Sequence, residues 1–69
     1  MKTYRIQRFI GDRKIRDENR EIEDIYKELV KRAIRNKALI TKYNRNGFEL
    51  IYPGEERHIV RIFELTEES

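Results

Sequence analysis

The side chains most often recruited for chemistry are few and scattered in this sequence. One histidine, His58, follows Glu55, Glu56 and Arg57. A general acid or base must be poised against a substrate, and this position reads instead as the half-exposed start of a strand. Nucleophilic catalysis needs a hydroxyl or thiol beside a base and its orienting group. The only serine is Ser69, and Thr3, Thr41 and Thr66 fall in strand candidates or at ends. The paired acids Glu55-Glu56 and Glu67-Glu68 are adjacent, so in extended chain they point apart rather than flanking a bond. Three separated glycines make no phosphate-cradling loop. With no cysteine, disulfides and thiolate metal sites are excluded, and a zinc site on one histidine would need three or more carboxylates. No enzymatic activity, metal, cofactor or small-molecule substrate is expected.

The basic residues carry more information. Net charge is +3, but it is spread unevenly: residues 1–16 hold a local +5, residues 17–30 a −4, residues 31–46 a +6 and residues 47–69 a −4. Tyr4, Phe9, Tyr43 and Phe48 interleave with the cations. Lysine and arginine bind phosphates by charge and counterion release, and rings stack on unpaired bases. The pattern nominates Arg5, Arg8, Arg13, Lys14, Lys42, Tyr43, Arg45 and Arg61 as nucleic-acid-binding residues, with Arg5, Gln7, Lys42 and Arg61 sharing one sheet face. The same charges also have structural uses, since bases at a helix C-terminus suit its dipole and bases on strands protect edges.

Those residues must be positioned by a small number of elements. Ile22, Ile25, Tyr26, Leu29, Val30, Ala33 and Ile34 recur at steps of three and one, which predicts an amphipathic helix from about residue 18 to 36. Asp17 or Asn19 would cap it. Thr3 to Ile10 alternates as a strand, with Phe9 and Ile10 out of phase as at a bulge or strand end. Gly11 to Lys14 then reads as a turn into the linker before the helix. Three further strands are expected over residues 38–43, 48–52 and 58–65. Asn46-Gly47 is the hairpin signal between the first two, and Pro53-Gly54 a type II turn before the third. Residues 66–69 form an acidic, frayed end.

The resulting expectation is a single α+β domain over residues 1–69, of order β-α-β-β-β. Its one amphipathic helix lies on one face of a four-stranded, mostly antiparallel sheet. The first strand can pair with the second, in parallel, or with the last. The last strand is apolar on both faces, and Ile51 points away from Phe48, Leu50 and Tyr52. That strand is therefore central, or a partner covers its outer side. Ile51, Ile59 and Ile62 are the candidate interface residues, for a protein partner or a homodimer.

Charged residues make up 42% of the chain, and the longest apolar run is Ala38-Leu39-Ile40, far short of a membrane span. The N-terminal residues lack the apolar stretch of a signal peptide. A soluble, cytoplasmic protein is expected. Its function is expected to be binding: of nucleic acid through a basic, aromatic-bearing sheet face, or of protein through that uncovered face.

Overall fold

The computed structural model describes residues 2–65; the expected frayed end at 66–69 lies outside them. Six elements follow in the order β1 (Lys2–Ile10), β2 (Arg13–Ile22), α1 (Ile25–Asn36), β3 (Leu39–Asn44), β4 (Gly47–Tyr52) and β5 (His58–Glu64). The strands form one five-stranded sheet in the order β2-β1-β5-β4-β3, antiparallel at every pairing. This corrects the expected four-stranded β-α-β-β-β arrangement: the sheet has five strands and the helix follows two of them. Of the two partners left open for β1, it takes the last strand, β5.

The additional strand is the segment read as linker and first helical turns. Gly11, at φ 61°, opens a two-residue turn in which Asp12 keeps a negative φ, the pattern of a hairpin turn that matches strand twist. Arg13 to Ile22 then runs back along β1, with Lys2 opposite Ile22 and Ile10 opposite Arg13. One residue, Ile15, is unpaired in a bulge between the Arg8–Arg16 and Phe9–Lys14 pairs. Charged residues are poor strand formers on average, but β2 is an edge strand and exposed over all but its last residue. There, charge protects an open edge from adventitious pairing. The helix consequently begins at Ile25, seven residues later than expected. Its cap is Asp24, which accepts from the Lys27 amide, rather than Asp17 or Asn19.

The stripe that predicted the helix is divided between two elements. Ile22 is buried from the end of β2, while α1 buries Leu29 and half-buries Ile25 and Ala33. Tyr26, Val30 and Ile34 remain exposed. Lys37, in the left-handed region at φ 54°, closes the helix, and the Ala38 amide donates to the Ala33 carbonyl. The Lys37 N–H donates to the same carbonyl, so the Ala33 oxygen accepts twice where the helix stops.

β5 is central, between β1 and β4. Val60 and Ile62 face α1 and are wholly buried with Leu50, Leu29, Ile6, Tyr4 and Ile22. Each fully buried aliphatic contributes about 1.5–3 kcal/mol, so these few side chains dominate the stability of so small a fold. Burial also raises the Tyr4 hydroxyl pKa, with the Glu64 carboxylate reinforcing it.

The β3–β4 hairpin forms where expected, by a different device. Neither Asn46 nor Gly47 has positive φ; Asn44 Oδ1 instead accepts from the Asn46 amide at 2.9 Å. Gly47 is needed for closeness, because a Cβ there would meet Phe63 Cβ at 2.5 Å.

Candidate functional site

Strand alternation sorts the cations onto two faces. Away from the helix lie Arg5, Gln7 and Phe9 of β1, Lys14 and Asp17 of β2, Arg61 of β5 and Tyr43 of β3. Lys42, expected on this face, lies on the other one opposite Phe48, its ammonium 4.9 Å from that ring's centre. Tyr43, the next residue, takes the outer side by alternation, and the bulge between Lys42 and Asn44 shifts the register after it. Arg8 also faces the helix, where Tyr52 sits beneath its guanidinium at 5.9 Å. Arg13 pairs with Ile10 at the hairpin turn, and Arg45 lies in the β3–β4 turn.

The outer cations are neutralised locally. Arg5 Nε and Nη2 donate to the two Asp17 carboxylate oxygens at 2.8 and 2.7 Å, and Lys14 Nζ reaches Oδ2 at 2.8 Å. The Arg5 and Lys14 hydrogen bonds hold the Asp17 carboxyl well below the usual carboxylate pKa. Arg61 Nε donates to Glu49 Oε2 at 2.8 Å. The Arg61 guanidinium is 4.9 Å from the Phe9 ring centre and 4.7 Å from that of Tyr43. Rings engaged by a paired arginine have fewer free faces for a base.

The candidate interface residues also divide. Ile51 and Ile59 are cross-strand neighbours on the outer side, continuing a row from Leu39 to Phe9. Ile62 points the opposite way and is fully enclosed beneath α1, so it cannot belong to a surface.

The helix side holds a basic groove. A cleft of ≈ 360 Å³ between α1 and the β1–β2 hairpin is lined by Arg8 and Arg20 from the strands, and by Lys31, Arg32 and Arg35 from the helix. Glu28, Asn36 and Tyr52 complete it. Glu28 is the one carboxylate in this lining, and Arg32 Nε already donates to it at 2.8 Å. Arg16 continues the strand wall, opposite Arg8 and on its face, with Glu18 between it and Arg20. Among the described residues, Arg8, Arg16, Arg20, Lys31 and Arg35 form no ion pair. Like charges directly opposite on neighbouring strands destabilise a sheet, so the Arg8–Arg16 pair is a cost the fold bears.

His58 lies beside this groove. Its ring centre lies 4.5 Å from that of Tyr52, the planes tilted by 45°, and Nε2 is buried without a hydrogen-bond partner among the described residues. Desolvation, helped by the positive charge of Arg8, lowers its pKa.

The two basic sequence blocks thus meet on the helix side, across α1 and the hairpin. Arg16 and Arg20 were not among the expected site residues because their segment reads as linker and helix. No local signal marks them, because residues 16–21 are polar at every position and show no apolar alternation. Among the described residues, no helix is long and apolar enough to cross a membrane. No family model, curated protein or solved structure matches the chain.

Proposed function

We propose that this chain binds nucleic acid, with the phosphate backbone lying in the groove between α1 and the β1–β2 hairpin. The observation that carries the reading is the convergence of Arg8, Arg20, Lys31, Arg32 and Arg35 on one cleft whose only carboxylate is already engaged. Concentrated positive charge along an open channel, all but Arg32 free of ion pairs among the described residues, attracts a polyanion and releases its condensed counterions. Arginine adds forked donors suited to phosphate oxygens. This relocates the expected surface from the outer sheet face to the helix side, and Arg8 is the one expected nucleic-acid-binding residue that lines the groove.

Fluorescence anisotropy with labelled single- and double-stranded oligonucleotides, titrated at several salt concentrations, tests the proposal. Engagement of four or five phosphates gives a slope of log affinity against log salt of roughly −3.5 to −4.5 for duplex, and about −3 to −3.5 for a single strand. Absence of binding at about 50 mM salt refutes it.

A second reading rests on the outer row of Leu39, Ile51, Ile59 and Phe9, whose members pair across β3, β4, β5 and β1. Such a row suits a protein partner, whose affinity would vary little with salt. Retention of a partner in high salt by the native chain, and its loss on Ile51→Asp, is the outcome this reading requires.

A further inference from the structure

The two edges of the sheet are built differently. β2 carries seven charged residues in ten, whereas β3 carries only Lys42 in its six. β3 is also exposed along its whole length. Of the large apolar side chains left exposed, Tyr26, Val30, Ile34, Leu39, Ile40 and Tyr43 lie on α1 or β3. On α1 the exposed ridge of Tyr26, Val30 and Ile34 is on the side away from the basic groove, and the Tyr26 ring meets Phe48 of β4 edge-on at 5.8 Å. The ridge therefore overhangs the β4–β3 side of the sheet, where Ile40 stands on the same face. One edge is guarded by charge; the other is apolar, open and flanked by an apolar helix face.

We infer that a second copy of this chain pairs with β3, antiparallel, to form a continuous ten-stranded sheet. A two-fold axis normal to the sheet reverses strand direction while keeping both helices on one side. Because successive side chains alternate between faces, such an axis must place a residue opposite its own copy. Centring on Lys42 would oppose two ammonium groups, which is unfavourable. Centring on Thr41 pairs residues 39–43 throughout. It sets Leu39 against Tyr43 of the other copy on the outer side, and Ile40 against the aliphatic stem of Lys42 on the helix side. No like charges meet along the seam, and the two ridges of Tyr26, Val30 and Ile34 face each other across it. Val30 and Ile34 are 51% and 76% exposed in the single chain, and this arrangement is what removes them from water.

Sedimentation equilibrium of the native chain at about 100 µM, a concentration at which even a weak specific dimer is populated, is expected to give twice the monomer mass. A monomer there overturns the inference. The double variant Val30→Lys, Ile34→Lys alters only exposed positions; it is expected to sediment as a monomer with an unchanged circular dichroism spectrum. A folded double variant that still dimerises also overturns it.

Register is tested separately. The chain contains no cysteine, so Thr41→Cys introduces a single thiol. Across an antiparallel pair the two Cα atoms lie about 4.5–5.5 Å apart, inside the roughly 4.4–6.8 Å that a disulfide spans. Thr41→Cys is expected to cross-link on mild oxidation, and Glu23→Cys, exposed on the β2–α1 connection, is not. Equal cross-linking of the two would refute the pairing. None of these measurements uses nucleic acid, so failure here leaves the groove reading standing, and the converse holds.

Discussion

Neutralising Lys31 and Arg35 together tests the groove most directly. Both lie on the exposed helix surface, line the groove, and make no ion pair among the described residues. The variant Lys31→Gln, Arg35→Gln therefore removes two phosphate ligands with little effect on packing, apart from the few tenths of a kcal/mol that a last-turn cation contributes at Arg35. On duplex, each lost contact reduces the salt slope by about 0.9. At about 0.1 M salt a contact of that kind is worth roughly eightfold in affinity, so the pair costs about 60-fold; at about 50 mM the same arithmetic gives roughly 200-fold. The control is Lys42→Gln, Arg45→Gln, which changes net charge equally at the far edge and its turn. Anisotropy titrations at four salt concentrations would give slope and affinity for both. If the two double variants weaken binding alike, affinity follows net charge and the groove has no special role.

Other consequences concern the scaffold and its titrating groups. Gly47→Ala places a methyl against Phe63 Cβ and the Ile62 and Phe63 backbone, none of which can swing aside. Overpacking of this kind costs about 1–3 kcal/mol. In a domain this small, thermal melting should fall by about 4–8 °C for each kcal/mol; an unchanged melting temperature would mean that β4 and β5 separate at little cost. His58 has a lowered pKa in the folded chain, so the unfolded chain takes up its proton first. Stability is therefore complete above the ordinary histidine pKa of about 6.5 and declines as pH falls below it. Urea midpoints measured from pH 7.5 to 5.5 should decrease, and His58→Gln should flatten the profile over that window. Asp17 acts in the same direction at lower pH: its folded pKa is also depressed, by hydrogen bonds from Arg5 and Lys14. Its contribution is present above the ordinary aspartate pKa of about 3.9 and lost as pH drops through the folded value. Asp17→Asn should therefore lessen the acid sensitivity of the β1–β2 hairpin, read as hydrogen-exchange protection between pH 5 and 3.

The helix, the positions of four strands and the β3–β4 hairpin were legible because each has a local cause. A 3.6-residue apolar period marks Ile25 to Ile34, and a two-residue alternation marks Phe48 to Tyr52. The fifth strand was hidden because Arg13 to Ile22 has the charge of a linker and ends in an isoleucine that also fits the helical stripe. Its strand character comes from β1 alongside it, reached through the Gly11-Asp12 turn, and from Asp17 bonding to Arg5. The site suffered the same fate. Arg8, Arg16, Lys31, Arg32 and Arg35 were visible as basic residues, but their meeting depends on the hairpin folding back beside α1.

By itself the sequence determined which residues carry charge, which segments hold an apolar period, and where glycines and prolines break them, because these are properties of neighbours a few residues apart. Only the tertiary structure decided that Lys42 and Arg8 face the helix, that Arg5 and Arg61 are already paired, and that Ile62 is enclosed while Ile59 is outward. A strand's side chains change face with a shift of a single residue. Pairing between strands far apart in sequence, with a bulge at Ile15, sets that register here, through contacts that composition and local spacing do not encode.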